Sequence, residues 1–120
     1  GVGGFVNISQ NARKVVFCGT LTSGGLEVEV DNGRLRIVRE GSIRKFVDHV
    51  EQVSFSGEVA AVSNREVLYV TERAVFQLTP QGIQLIEVAP GIDVQKHILD
   101  QIDFVPIVRK PRLMSATSFS

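Results

Sequence analysis

An α/β fold, with buried parallel-type strands carrying an antiparallel hairpin and a meander, is the architecture this sequence predicts. Three patterns carry that expectation. Lys14-Val15-Val16-Phe17-Cys18-Gly19 is a compact apolar run closed by glycine, the pattern of a strand buried on both faces. Leu26-Glu27-Val28-Glu29-Val30 and Arg34-Leu35-Arg36-Ile37-Val38 alternate apolar and charged residues around Asp31-Asn32-Gly33, as a hairpin with one wet face does. Helical spacing recurs at Phe5-Ile8-Ala12 and again at Val94-Ile98-Leu99-Ile102.

The chain opens on Gly1-Val2-Gly3-Gly4, where missing Cβ atoms let the backbone reach φ > 0 and approach a ligand closely. If Phe5, Ile8 and Ala12 form one helix face, these glycines lie at its N-terminus, where free amides and the helix dipole favour an anion or a developing oxyanion. A tight turn is the alternative reading of the same residues. After the buried strand, the loop Thr20-Leu21-Thr22-Ser23-Gly24-Gly25 sits at what is expected to be its C-terminal end, the place where open α/β sheets bind ligands.

In the hairpin, glutamates of one strand oppose arginines of the other on the solvent face, each pair contributing roughly 0.2–1 kcal/mol. Arg34, Arg36, Arg39, Arg44 and Lys45 therefore read as a solvated sheet face in preference to a phosphate site. Val50, Val53 and Phe55 suggest a further strand closed by Ser56-Gly57, and Glu58-Val59-Ala60-Ala61-Val62 an apolar segment ending at Ser63-Asn64. Residues 66–71 and 74–78 read as two strands joined by Glu72-Arg73, and 83–88 as a third after the Pro80-Gln81-Gly82 turn. Ala89-Pro90-Gly91 breaks the pattern, and Asp93 can cap a helix with Val94, Ile98, Leu99 and Ile102 on one face. Residues 104–108 are expected to be extended, with Pro106 and Pro111 excluding regular helix, and residues 109–120 to form a tail that ends in a Ser/Thr-rich stretch.

At 120 residues the chain matches one domain or part of one, and its 13 basic residues balance 13 acidic ones. That balance and the lack of aromatic residues interleaved with basic ones argue against a nucleic-acid partner. One cysteine excludes an internal disulfide, and the apolar runs are too short to span a bilayer, so a cytoplasmic setting with no membrane partner is expected. Cys18, His49 and His97 are scattered over different elements, so no metal site is expected. Cys18 falls inside an apolar strand, where a thiol is usually inert, and no P-loop lysine follows the first glycines.

Gly1-Val2-Gly3-Gly4-Phe5-Val6-Asn7-Ile8-Ser9-Gln10-Asn11-Ala12, then Lys14-Val15-Val16-Phe17-Cys18-Gly19-Thr20 and Gly24-Gly25-Leu26, closely resembles the family I coenzyme A-transferases. More narrowly it is similar to the single-chain acetate or propionate branch. The likeness continues through Val53-Ser54-Phe55-Ser56-Gly57, through residues 66–76 from Glu66-Val67-Leu68-Tyr69 to Phe76, and through Ile86-Glu87-Val88-Ala89-Pro90-Gly91-Ile92-Asp93. The resemblance implies the NagB/RpiA/CoA-transferase-like α/β fold, shared with sugar-phosphate isomerases. It implies transfer of CoA between a short-chain acyl-CoA and a free carboxylate through a glutamyl-CoA thioester, with CoA as substrate, no permanently bound cofactor and a homo-oligomeric assembly.

By the same resemblance, Gly3 and Gly4 supply oxyanion amides, while Gly1, Phe5, Ser23, Gly24 and Gly25 are the candidate substrate- or CoA-binding residues. For Thr22 to Gly25 a turn role stands equally open. The family's nucleophilic glutamate lies in a Ser-Glu-Asn-Gly type motif, and no Glu-Asn-Gly occurs here. Asp31-Asn32-Gly33 is the nearest match and reads as the hairpin turn. Residues 1–108 are thus expected to be the C-terminal portion of a catalytic domain, inactive without a preceding segment that supplies the glutamate. A hydrolase of the same fold and a noncatalytic anion-binding or assembly domain are the alternatives.

Overall fold

The computed structural model of the chain describes residues 5–8, 13–44, 46, 66–79, 81–102 and 104–114. Its largest element is a mixed six-stranded sheet built from β1 (Val6–Asn7), β2 (Lys14–Cys18), β5 (Glu66–Val70), β6 (Ala74–Thr79), β7 (Gly82–Val88) and β8 (Ile107–Leu113), in the order β1-β2-β5-β6-β7-β8. β3 (Glu27–Asp31) and β4 (Arg34–Arg39) form a separate two-stranded sheet.

β2 carries Val15 and Phe17 inward by its alternation and pairs in parallel with β5, Val15 opposite Val67 and Phe17 opposite Tyr69. β5, β6 and β7 are the expected antiparallel meander, with a bulge in the β6–β7 register at Val75/Phe76. The two parallel pairings, β2 with β5 and β7 with β8, place the carboxyl ends of all four strands at one end of the sheet. That end also holds the β5–β6 turn and the loop that leaves β2, which is where ligands approach open sheets of this kind.

The hairpin forms as its alternation predicts. Glu29 stands opposite Arg36 and their side chains pair at 2.5 Å, while Asn32 and Gly33 take positive φ at the turn (53° and 75°). Leu35 is buried against Val75, Ala89 and Met114, and its N–H donates to the Pro90 carbonyl at 2.7 Å, so β4 docks on the sheet, whereas Val28 and Val30 of β3, expected on the dry face, stay exposed.

Phe46 is the centre of the main core. Its ring stacks on Phe76 at 4.5 Å, meets Tyr69 edge-on at 5.4 Å, and contacts Phe5 and Phe104 at 5.9 Å each. Ile98 and Ile102 close this core from the segment after β7. Asp93 caps that segment as expected, its carboxylate accepting from the Lys96 N–H at 2.9 Å. The segment is a π-helical turn, Val94–Ile98, followed by a 3₁₀ turn, Leu99–Gln101, in place of a regular α-helix. The wider and then tighter winding brings Ile98 and Ile102 onto the core.

Two expectations are corrected. Val6–Asn7 is a strand paired antiparallel with β2, and Ile8 N–H donates to the Val16 carbonyl at 2.8 Å, so Phe5 and Ile8 do not share a helix face. An unpaired β2 edge was available, and pairing with it satisfies backbone groups that a short isolated helix satisfies poorly. Residues 109–113, expected in the tail, belong to β8. An edge strand needs only its backbone to pair, so charged side chains and Pro111 are tolerated there. The strand expected around Val53, the segment 58–62 and His49 lie outside the described residues.

Candidate functional site

At the carboxyl ends of β2 and β5, four side chains from three segments far apart in sequence converge on a buried cluster. Thr22 comes from the loop after β2, Glu40 from the end of β4, and Glu72 and Arg73 from the β5–β6 turn. Thr71 shapes that turn: its hydroxyl donates to the Ala74 carbonyl at 2.8 Å and accepts from the Ala74 N–H at 3.0 Å and the Arg73 N–H at 3.3 Å. The turn is thereby held so that Arg73 points inward.

The Arg73 side chain has no exposed surface. Its guanidinium donates through Nε to Glu72 at 2.6 Å, through Nη1 to Glu40 at 2.7 Å and to the His97 carbonyl at 2.9 Å, and through Nη2 to Glu40 at 2.9 Å and to the Thr22 hydroxyl at 3.4 Å. Five N–H groups therefore meet five acceptors, and the Glu40 contact is a bidentate fork. Burial would lower the Arg73 pKa, but the two carboxylates outweigh it and raise it above its ordinary value. Burial likewise pushes the Glu40 carboxyl up, and hydrogen bonds from Arg73 and Thr22 together with the Arg73 charge overcome this, leaving it below its ordinary value. Both groups stay ionised.

This cluster organises the loop that sequence reading placed at the ligand end. Thr22 Oγ1 donates to Glu40 at 2.6 Å, Gly41 N–H donates to both Thr22 and Glu40, and the Leu21 N–H donates to Glu72 at 2.9 Å. Ser23 makes a two-bond antiparallel bridge with Ile43, at 2.8 and 2.9 Å, and the Gly24 carbonyl accepts from both the backbone and the hydroxyl of Ser42. Gly24 and Gly25 then emerge exposed at φ 75° and 98°, conformations that explain why glycine stands at both positions.

Of the residues named from the sequence, Ser23, Gly24 and Gly25 lie together on this loop. Thr22 is fully buried, and its hydroxyl bonds Glu40, Gly41 and Arg73 in the cluster. Phe5 is half-buried beside Gly19 and Phe46, part of the core under the same end of the sheet. Gly1, Gly3 and Gly4 lie outside the described residues. Among the described residues no three His, Cys, Asp or Glu side chains group as a metal site would, and no helix is long and apolar enough to cross a membrane.

Sequence reading missed Thr22, Glu40, Glu72 and Arg73 as a unit. The available signal was Thr71-Glu72-Arg73-Ala74, which sets two charges at the end of an apolar strand with a threonine ready to shape the turn. Nothing local indicates that Glu40 is the partner, 33 residues away.

No family model matches the chain. Over 108 residues, 90% of its length, the chain is 49% identical to the acetate CoA-transferase YdiF of Escherichia coli and 52% identical to the caffeate CoA-transferase of Acetobacterium woodii. It spans about a fifth of the length of these curated relatives (20% of each). Among solved structures it is similar to the acyl-CoA transferase YdiF from Escherichia coli, with a TM-score of 0.78 at 46% identity over 90% of this chain and 21% of that one. That protein has been solved as the apoenzyme and as a thioester complex with CoA. The resemblance read from the glycine loop and the strand motifs thus agrees with both comparisons, and the α/β fold class agrees with the structural match.

Proposed function

We propose that this chain is the part of an acyl-CoA:carboxylate CoA-transferase that carries the glycine oxyanion loop and one wall of the CoA site. The parent enzyme moves CoA between a short-chain acyl-CoA and a free acid of the acetate or propionate class. The observation that carries this reading is the likeness, over 90% of the chain and at 46% identity, to an acyl-CoA transferase solved as a thioester complex with CoA. The end of the sheet where β2, β5 and β7 terminate supports it, because a ligand meets backbone amides and strand-end loops there.

In this mechanism a glutamate from outside the chain attacks the thioester carbonyl. The C–S bond breaks, CoA leaves as thiolate, and an acyl-glutamyl anhydride forms. The thiolate then attacks the glutamyl carbonyl and expels the donor acid, leaving a glutamyl-CoA thioester that the acceptor carboxylate resolves in the reverse sense. Each addition places negative charge on an oxygen, and the amides of Gly3 and Gly4 are assigned to it. Gly1 and Phe5 border the acyl group, and Ser23, Gly24 and Gly25 face CoA.

The test uses the full-length protein that carries this chain, with acetyl-CoA as donor and propionate as acceptor. Propionyl-CoA should form with ping-pong kinetics, and borohydride should inactivate the enzyme only after exposure to acyl-CoA, by reducing the enzyme thioester. Gly4→Val should lower kcat roughly 10²-fold or more. Folded protein that transfers CoA to none of a panel of short acids refutes the reading.

A further inference from the structure

Arg73 is the one charged residue among the described residues that is fully buried, and the mechanism above gives it no part. With five donors matched to five acceptors it has no N–H left for a ligand. Its effect is exerted on the chain around it. Through Glu72, which accepts from Leu21, and through Thr22, it holds the start of the loop after β2. Through Glu40 it holds the start of the segment 40–43, which lies against that loop by the Ser23–Ile43 bridge and the Ser42 contacts to Gly24. The fit between the two segments is close: a Cβ at Gly41 would collide with the Ser23 backbone and the Thr22 hydroxyl. Gly24 and Gly25 follow directly from this clamp, exposed and at positive φ.

We infer that Arg73 is a positioning residue of the transferase: by clamping Thr22, Glu40 and Glu72 it presents the Gly24-Gly25 backbone to the nucleotide end of CoA. The inference rests on the CoA-transferase reading and deepens it. Backbone presented without side chains at a strand end suits the phosphates of a nucleotide, and its value depends on being held before the ligand arrives. A loop ordered only on binding gives up part of the interaction free energy to that ordering. The clamp therefore acts on recognition of CoA, and the acyl group and acceptor acid are indifferent to it.

Thr22→Val removes the hydroxyl that links Arg73, Glu40 and Gly41 while conserving shape, and Arg73→Lys keeps the charge but loses the fork. In the full-length protein each is compared with the wild type for acetyl-CoA, for acetyl-pantetheine, which lacks the nucleotide, and for the acceptor acid; CoA affinity is measured by calorimetry. The KM for acetyl-CoA and the Kd for CoA should rise roughly tenfold. The KM values for acetyl-pantetheine and the acid should stay within about twofold, and kcat should fall less than KM rises. A merely structural role would lower the active fraction and move no single KM. If Arg73→Lys fails to fold, Thr22→Val decides. Unchanged CoA affinity, or equal weakening of acetyl-CoA and acetyl-pantetheine, overturns the inference. A wild type that binds CoA but transfers it to no acid overturns the transferase reading alone, and the Kd comparison still decides the clamp.

Discussion

Replacing Arg73 with methionine removes the guanidinium and leaves an unbranched apolar side chain in its place. Glu40 and Glu72 then face one another with no cation between them, and the His97 carbonyl and the Thr22 hydroxyl lose a donor. Removing one partner of a buried ion pair costs about 3–5 kcal/mol, most of it from the charge left behind. Here the Glu40 and Glu72 side chains keep 28% and 16% exposure, so water reaches both carboxylates and the cost falls at the lower end, about 3 kcal/mol at pH 7. The pH dependence has a definite sign. In the native protein the Glu40 pKa is depressed, so its contribution is present above the unfolded value and is lost as pH falls through the folded one. Without Arg73 burial still opposes ionisation and only the hydrogen bonds from Thr22 and Gly41 remain to favour it, so acid weakens the variant less than it weakens the wild type. The gap between them should therefore be widest near neutrality and close as pH falls through the carboxylate range. Urea unfolding at pH 7 and pH 4 measures it through Tyr69, the single tyrosine of a chain without tryptophan, which is buried beside Phe17 and Phe46. A deficit below about 1 kcal/mol at pH 7, or one that does not change with pH, refutes the reasoning.

Three further outcomes are expected from the same structure. Gly91→Ala should destabilise by about 1–3 kcal/mol, because Gly91 stands at φ 90° and the new Cβ would lie 2.7 Å from the Leu35 carbonyl; urea midpoints check it. Arg36→Ala should change stability by less than about 0.5 kcal/mol, since the Arg36–Glu29 pair is 70% and 56% exposed, and a larger loss would mean the hairpin face is covered in solution. Burial raises the Cys18 thiol pKa, so at pH 7.5–8 in the ordinary assay range it should react with iodoacetamide more slowly than free cysteine; mass spectrometry of timed samples reads the rate.

The hairpin and the meander were legible because period-two alternation and turn residues are local statements. Glu29 and Arg36 face each other across Asn32-Gly33 as the pattern requires. Asp93 was legible as a cap for the same reason, since its acceptor needs only an N–H three residues on. Helical spacing at Phe5 and Ile8 misled, because such a short pattern carries no record of the open β2 edge beside it. β8 was hidden for the opposite reason: an edge strand is held by backbone pairing with β7, and its arginines, Lys110 and Pro111 give no apolar signature.

By itself the sequence determined the α/β class, the family resemblance and the loop on which Ser23, Gly24 and Gly25 stand, all carried by contiguous residues. Only the tertiary structure decided what holds that loop. Arg73 meets Thr22 across 51 residues and Glu40 across 33, and the preference of a buried guanidinium for those acceptors follows from desolvation. Desolvation arises only when the strands that carry them have assembled, so no local pattern of residues announces it.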